Sequence, residues 1–240
     1  MDRRRFLAGG TAFGALGLTG AVKLGLPAGG VEASSAENGA IPVAFAVSNG
    51  ATVIDFAGPW EVFQDVMLGD PNDMSTHRRG FSLSMVGVTR EPVRASGGMH
   101  VVPTHTVHDA PTPRVLVVGA QSGPPALVDW IVSVYGKADL VMSVCTGAFI
   151  LARAGLLDGL TATTHHDSHD KFEREFPRVH LVREGRYIDH GRVATAGGLT
   201  SGIDLALHVV DRMYGRGQAL RTATYMEYES RHWIDGDPTA

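Results

Sequence analysis

Asp139-Leu140-Val141-Met142-Ser143-Val144 runs without alternation into Cys145-Thr146-Gly147-Ala148-Phe149. A short apolar run with no polar partner positions is what a strand covered on both faces requires. The stretch from Thr146 to Ala154 is apolar and helix-forming and stops near Gly155. Cys145 therefore sits where a strand turns sharply into a helix. Small residue, any residue, nucleophile, any residue, glycine is the pattern of such a corner, because the turn lifts the side chain above the sheet edge and small neighbours let the backbone pass. The helix N-terminus brings unpaired amides and the positive end of the dipole to the sulfur, which favours thiolate and can hold an oxyanion. The alternative is a small buried apolar cysteine with no chemistry of its own. It is the only cysteine in the chain, which excludes an internal disulfide framework and a Cys-rich zinc site.

Outward from this corner, strands and helices alternate. Ile41 to Val47, Phe81 to Val88, Val115 to Val118, Thr161 to Thr164, Val179 to Val182, Tyr187 to Asp189 and Val193 to Ala196 read as strands. Helices are expected from Pro59 to about Leu68, from Pro124 to about Tyr135, from Ser168 to Phe176, from Thr200 to Tyr214 and from Gln218 to Tyr228. Gly69 to Arg79 reads as a polar loop, and Val93 to Pro103 as a hairpin or bulged excursion. Non-alternating apolar strands separated by helices mean a mostly parallel sheet with helices on both faces, an α/β three-layer sandwich. Ligands in such sheets bind at the carboxyl ends of strands, here the ends at Val47, Val118 and Val144.

Four stretches carry a resemblance. They are Ser143-Val144-Cys145-Thr146-Gly147-Ala148-Phe149; Ala154-Gly155-Leu156-Leu157-Asp158-Gly159-Leu160-Thr161-Ala162-Thr163-Thr164-His165; Val53 to Phe63; and Thr195-Ala196-Gly197-Gly198-Leu199-Thr200-Ser201-Gly202-Ile203-Asp204. Together they resemble the ThiJ/PfpI superfamily over about Ile41 to Tyr228, closest to isonitrile hydratases and to the ligand-sensing domains of some AraC-type regulators. The resemblance implies a flavodoxin-like, class I glutamine-amidotransferase-like fold. It implies Asp55 as the active-site acid beside Cys145, and Thr146 as a further reactive residue. Buried there, Asp55 is expected to be protonated, donating to thiolate or to substrate. The alternatives are a helix-capping Asp55 and an ordinary first-turn Thr146. Glu61 reads as a solvated face residue. His165 stands where the family often places a histidine near the thiol; the alternative is an exposed His165-His166-Asp167 cluster. Val118 is followed by Gly119-Ala120-Gln121-Ser122-Gly123 where most members have Pro-Gly-Gly. Either Gly119 takes the strained backbone role or the Gln121 side-chain amide contributes the oxyanion donor, with Ala120 bringing a Cβ where glycine is usual.

At the other end of the chain, Arg3-Arg4-Arg5-Phe6-Leu7, a Gly/Ala-rich run from Ala8 to Leu26 and Val31-Glu32-Ala33 have the layout of a twin-arginine export signal over residues 1–33. Residues 34–40 read as a leader and 41–240 as one ThiJ/PfpI-like domain. Lys23, Pro27 and the glycines make the run too interrupted for stable membrane insertion. The chain of 240 residues carries a net charge of −4, which becomes −6 once residues 1–33 are removed. That balance argues against nucleic acid as a partner. The expectation is an exported, homodimeric enzyme acting on a small molecule without cofactor or metal. Its reaction would be isonitrile hydration through a Cys145 thioimidate, with Trp60 or Phe149 holding the organic substituent. A glyoxalase or deglycase-like enzyme using His165, and a non-catalytic ligand-binding or redox-sensing domain, are the alternatives.

Overall fold

Val115-Leu116-Val117-Val118 and Leu140 to Val144 are buried residue for residue and pair in parallel, Leu116 opposite Val141. They are the middle of a seven-stranded sheet in the computed structural model, which describes residues 39–236. The expected export signal at 1–33 and residues 34–38 of the leader lie outside the described residues. The strands, in chain order, are β1 (Ile41–Ala46), β2 (Phe81–Gly87), β3 (His105–Thr106), β4 (Val115–Val118), β5 (Leu140–Val144), β6 (Tyr187–Asp189) and β7 (Val193–Ala196). Their spatial order is β6-β7-β5-β4-β1-β2-β3. Every neighbouring pair is parallel except β6–β7.

Successive strand residues point to opposite faces, and both faces are packed. Val43, Phe45, Val117, Met142 and Val144 meet α1 (Val53–Gln64), α5 (Ser201–Tyr214) and α6 (Arg216–Tyr225) in one core. Ala44, Ala46, Leu116, Val118 and Val141 meet α2 (Pro125–Tyr135), α3 (Gly147–Arg153) and α4 (His169–Glu175) in the other. This is why those strands carry no alternation. The three-layer, mostly parallel α/β sandwich is the architecture expected from the sequence.

Three local expectations fail for tertiary reasons. Pro59 does not open the first helix; it lies inside α1, which begins at Val53. Its ring packs toward Gly202 of α5, while Gly58 sits against Ile203, so the α1–α5 crossing decides where the proline stands. The brief strand read at Thr161 to Thr164 is limited to Thr161–Ala162 and pairs with His180–Leu181 in a separate ribbon, the place beside β5 being taken by β7. The first helix ends at Gln64 and not near Leu68, and Met67–Leu68 pair antiparallel with Arg78–Arg79, closing the loop Gly69 to Arg79. The two-residue edge strand β3 and the short helix α7 (His232–Asp235) have no counterpart in the sequence reading.

The excursion after β2 folds as a small hairpin, Val93–Arg94 against His100–Val101. It closes over the start of α1: Ser96 Oγ accepts the Val53 N–H at 3.0 Å, and the Ser96 N–H reaches the Ala51 carbonyl at 2.8 Å. The first turn of α1, which carries Asp55, is thereby fixed at the sheet edge. No helix among the described residues is long and apolar enough to cross a membrane.

Candidate active site

The corner at Cys145 is strained and held. Cys145 has φ 57°, the left-handed region that costs a residue with a Cβ on the order of 1 kcal/mol. Three hydrogen bonds fix it. The Cys145 N–H donates to the carbonyls of Gly197 at 2.8 Å and Ala196 at 3.2 Å, and its own carbonyl accepts the Thr164 hydroxyl at 2.9 Å. Gly147 allows α3 to start hard against the end of β4, since a Cβ there would lie 2.1 Å from the Val118 carbonyl oxygen.

Asp55 comes to this corner from the first turn of α1, directly after the loop that follows β1. It is fully buried. Its Oδ2 accepts the Ala120 N–H at 3.0 Å; Oδ1 has no partner of that kind, and the remaining group acting on the carboxyl is the Cys145 thiol. Gly119 packs so closely that an added Cβ would lie 2.8 Å from that of Asp55. Burial pushes the Asp55 carboxyl up to about 6, against the smaller opposing effects of the Ala120 amide and the thiol.

The thiol is shifted further. Burial and then the neighbouring Asp55 charge push Cys145 up to about 11, outweighing donors that favour the anion. Those donors are the backbone amides of Thr146 and Leu199 and the Thr146 hydroxyl. Both shifts favour the protonated forms: burial and the Asp55 charge disfavour the thiolate expected at the helix N-terminus, and burial raises Asp55 in the direction expected of a carboxyl placed there. Polar contacts of this kind poise a proton for transfer in either direction.

Leu199 had no signal in the sequence beyond its place in the Gly-rich turn. It is a second non-glycine residue in the left-handed region, with φ 53°, which aims its N–H at the sulfur. Leu199 is 44% exposed and borders a cavity of about 360 Å³ that Thr164, His165, Arg186 and Thr200 also line.

The other sequence candidates are placed as follows. Gly119 is not among the positive-φ glycines, so glycine is needed there for close approach to Asp55 and not for a strained backbone. The Gln121 amide is no oxyanion donor: its Nε2 donates to the Ala46 carbonyl at 2.8 Å and the Gly119 carbonyl at 3.3 Å. The Ala120 amide is engaged by Asp55. His165 packs edge-on against Gly198, stacks on His166 at 4.4 Å and accepts the Asp167 N–H on Nδ1 at 3.2 Å; no interaction of the sulfur comes from it. His165, His166 and Asp167 bring ligand atoms within 4.8 Å of one another, the one such group among the described residues. Glu61 is exposed. Phe149 is packed between Phe172 and Phe176, and Trp60 against Phe45, at centroid distances of 5.0 to 5.7 Å. Phe149 is therefore a core residue on the α3–α4 side and does not hold a substituent.

The geometry just described can be set beside known proteins. The isonitrile hydratase of Pseudomonas putida is 32% identical over 196 residues, covering 79% of each chain. The HTH-type transcriptional regulator CdhR of Pseudomonas aeruginosa is 34% identical over 137 residues, 55% of this chain and 40% of that protein. A ThiJ/PfpI family protein from Pseudomonas syringae superposes with a TM-score of 0.69 at 26% identity, over 80% of this chain and 76% of that one. The model of the DJ-1/PfpI family matches residues 42–212, a span that contains the Asp55–Cys145 pair, the elbow at Gly147 and the seven strands of the sheet except Ile41. The chain belongs to the DJ-1/PfpI family.

Proposed function

We propose that the protein is a cysteine-dependent enzyme that hydrates an isonitrile to an N-substituted formamide. The observation that carries this reading is the buried Asp55 carboxyl beside the Cys145 thiol at the strand ends. The likeness to an isonitrile hydratase over most of both chains supports it.

In the first step Asp55 takes the thiol proton as the Cys145 sulfur bonds to the terminal isonitrile carbon. It returns that proton to the same carbon, giving a thioimidate, R–N=CH–S–Cys145. A water then adds to this carbon; Asp55 accepts its proton and passes it to nitrogen. Collapse of the tetrahedral adduct breaks the C–S bond, the hydroxyl proton returns to sulfur through Asp55, and R–NH–CHO leaves. One isonitrile and one water are consumed, and Asp55 and Cys145 end as they began. The amides of Thr146 and Leu199 and the Thr146 hydroxyl stabilise the sulfur while it carries negative charge. Burial of the pair strengthens each of these interactions.

The pH dependence follows from the pair. Turnover needs Asp55 ionised and the thiol protonated, so activity rises as pH passes about 6 and holds until the thiol itself titrates. The test is incubation with cyclohexyl isocyanide. Formamide formed by the protein and lost in Cys145→Ala supports the reading; no formamide from the intact protein overturns it.

A second reading, a ligand-sensing domain without turnover, is favoured by the match to a transcriptional regulator and by the protonated resting thiol. It predicts that a small ligand raises the melting temperature with no chemical change. The glyoxalase-like reading draws less support, because His165 is engaged by Gly198, His166 and the Asp167 N–H. The proposal extends to the setting: a homodimer, exported by the twin-arginine route, acting on a small molecule without nucleic acid or cofactor.

A further inference from the structure

We infer that Gln121 is a positioning residue for the proton shuttle: its carboxamide locks the Gly119–Ala120 peptide so that the Ala120 N–H stays on Asp55. The inference rests on the reading of Asp55 as the shuttle for Cys145.

The argument begins with a single peptide group. The Gly119 carbonyl and the Ala120 N–H belong to the same planar unit and point in opposite directions. Gln121 Nε2 donates to that carbonyl at 3.3 Å, and Asp55 Oδ2 accepts that N–H at 3.0 Å. The peptide is held at both edges, and a donor on its carbonyl polarises its N–H toward the carboxylate.

The carboxamide is itself anchored. Nε2 also donates to the Ala46 carbonyl at the end of β1, at 2.8 Å. Oε1 accepts the Ser48 hydroxyl at 2.8 Å, and Ser48 Oγ takes the Gly123 N–H at 3.1 Å. On the following peptide, the Ala120 carbonyl accepts the Thr52 N–H at 2.9 Å, tying the same segment to the start of α1. Gln121 thus joins the carboxyl ends of β1 and β4 and sets the orientation of the one amide that reaches Asp55.

Few charges compete for Asp55. From the elbow only Cys145 acts on it. Glu61 on α1 is exposed, and Asp204 on α5 is paired with Arg186, Nε to Oδ2 at 2.7 Å. The segment 119–121 brings no titratable side chain. The Ala120 amide is therefore the largest influence opposing desolvation of the carboxylate. Removing its brace should weaken it.

The test is a ¹³C-carboxyl NMR titration of the protein, with the Asp55 signal assigned by Asp55→Asn. In Gln121→Met, close in shape but without donors or acceptors, the Asp55 midpoint rises by about 0.5 to 1 pH unit, the worth of one backbone donor to a carboxylate. Near pH 5 that is about three- to tenfold less ionised Asp55. A folded Gln121→Met whose Asp55 midpoint does not move overturns the inference. Should Gln121→Met fail to fold, Ser48→Ala and Ser48→Thr decide it: Ser48→Ala must shift the midpoint upward and Ser48→Thr, which keeps the hydroxyl, must not. Equal midpoints in the two overturn the inference. The NMR readout needs no turnover. A moved midpoint in a protein that makes no formamide keeps the brace and rejects the hydratase reading, and the converse pair of results rejects the brace alone.

Discussion

Asp55→Asn should make the protein more stable while abolishing its chemistry, and the size of the effect follows from the site. In the fold the Asp55 carboxyl is pushed from 3.8 to about 6 because burial removes water from the charged form. Unfolded, it returns to the ordinary carboxylate range. Below pH 3.8 both states are protonated and no difference arises. Between there and about 6 the unfolded state releases its proton first, so the folded state loses ground as pH rises. Above that window the loss is complete and amounts to about 3 kcal/mol, at about 1.4 kcal/mol per decade. Asparagine is never charged, keeps an oxygen for the Ala120 N–H, and leaves its NH₂ toward the Cys145 sulfur, a weak acceptor that returns part of the gain. The net expectation is a variant about 1 to 3 kcal/mol more stable at pH 8, or several degrees in melting temperature for a domain of this size. At pH 4 the difference shrinks toward zero. Paired urea titrations of the two proteins from pH 4 to pH 8 measure it. A variant that is less stable at pH 8, or a difference that does not change with pH, refutes the reasoning.

Three further outcomes follow. The Cys145 thiol, pushed up to about 11, should react slowly with iodoacetamide at pH 7 and faster with each pH step to 10; rapid alkylation with a midpoint below 8 would count against the assignment of the resting proton to sulfur. Gly147→Ala would place a Cβ 2.1 Å from the Val118 carbonyl and should cost more than about 2 kcal/mol or prevent folding, while Gly136→Ala, with open space around its Cβ, should be neutral or slightly stabilising; chemical denaturation of both tests whether the elbow depends on that approach. Arg186→Met should leave Asp204, which is fully buried, with only Tyr228 and Ser230 as hydrogen-bonding side chains, costing about 3 kcal/mol in the same assay.

What could be read in the sequence was whatever short-range pattern records. Val115–Val118 is found residue for residue, because unbroken branched residues between turn signals leave few other options. The elbow was legible because a nucleophile between a strand and Gly147 has a local signature. What the sequence hid is set by contacts distant in the chain. Pro59 reads as a helix start until α5 is seen against it. His105–Thr106 is a strand only because β2 is beside it. The helix N-terminus at Cys145 argues for thiolate, but burial and the Asp55 charge outweigh it, and neither is visible along the chain. Leu199 is marked in the sequence only by its place in the Gly-rich turn, which does not show its left-handed backbone. The place of Gln121 in the chain offers it as an oxyanion donor alternative to a strained Gly119; its orientation, back onto Ala46 and Gly119, is a property of the folded loop.

The account stands or falls on the passage of one proton between residues 55 and 145. Its covalent consequence on sulfur is read by intact-mass measurement after acid quench of the protein with cyclohexyl isocyanide. The account predicts one covalently added isonitrile on Cys145 in the wild type during turnover, none in Cys145→Ala, and accumulation slowed at least a hundredfold in Asp55→Asn, the usual loss when a general acid–base is removed being ~10²–10⁴. An adduct that forms as fast in Asp55→Asn as in the wild type, or formamide produced with the sulfur unmodified throughout, would contradict it.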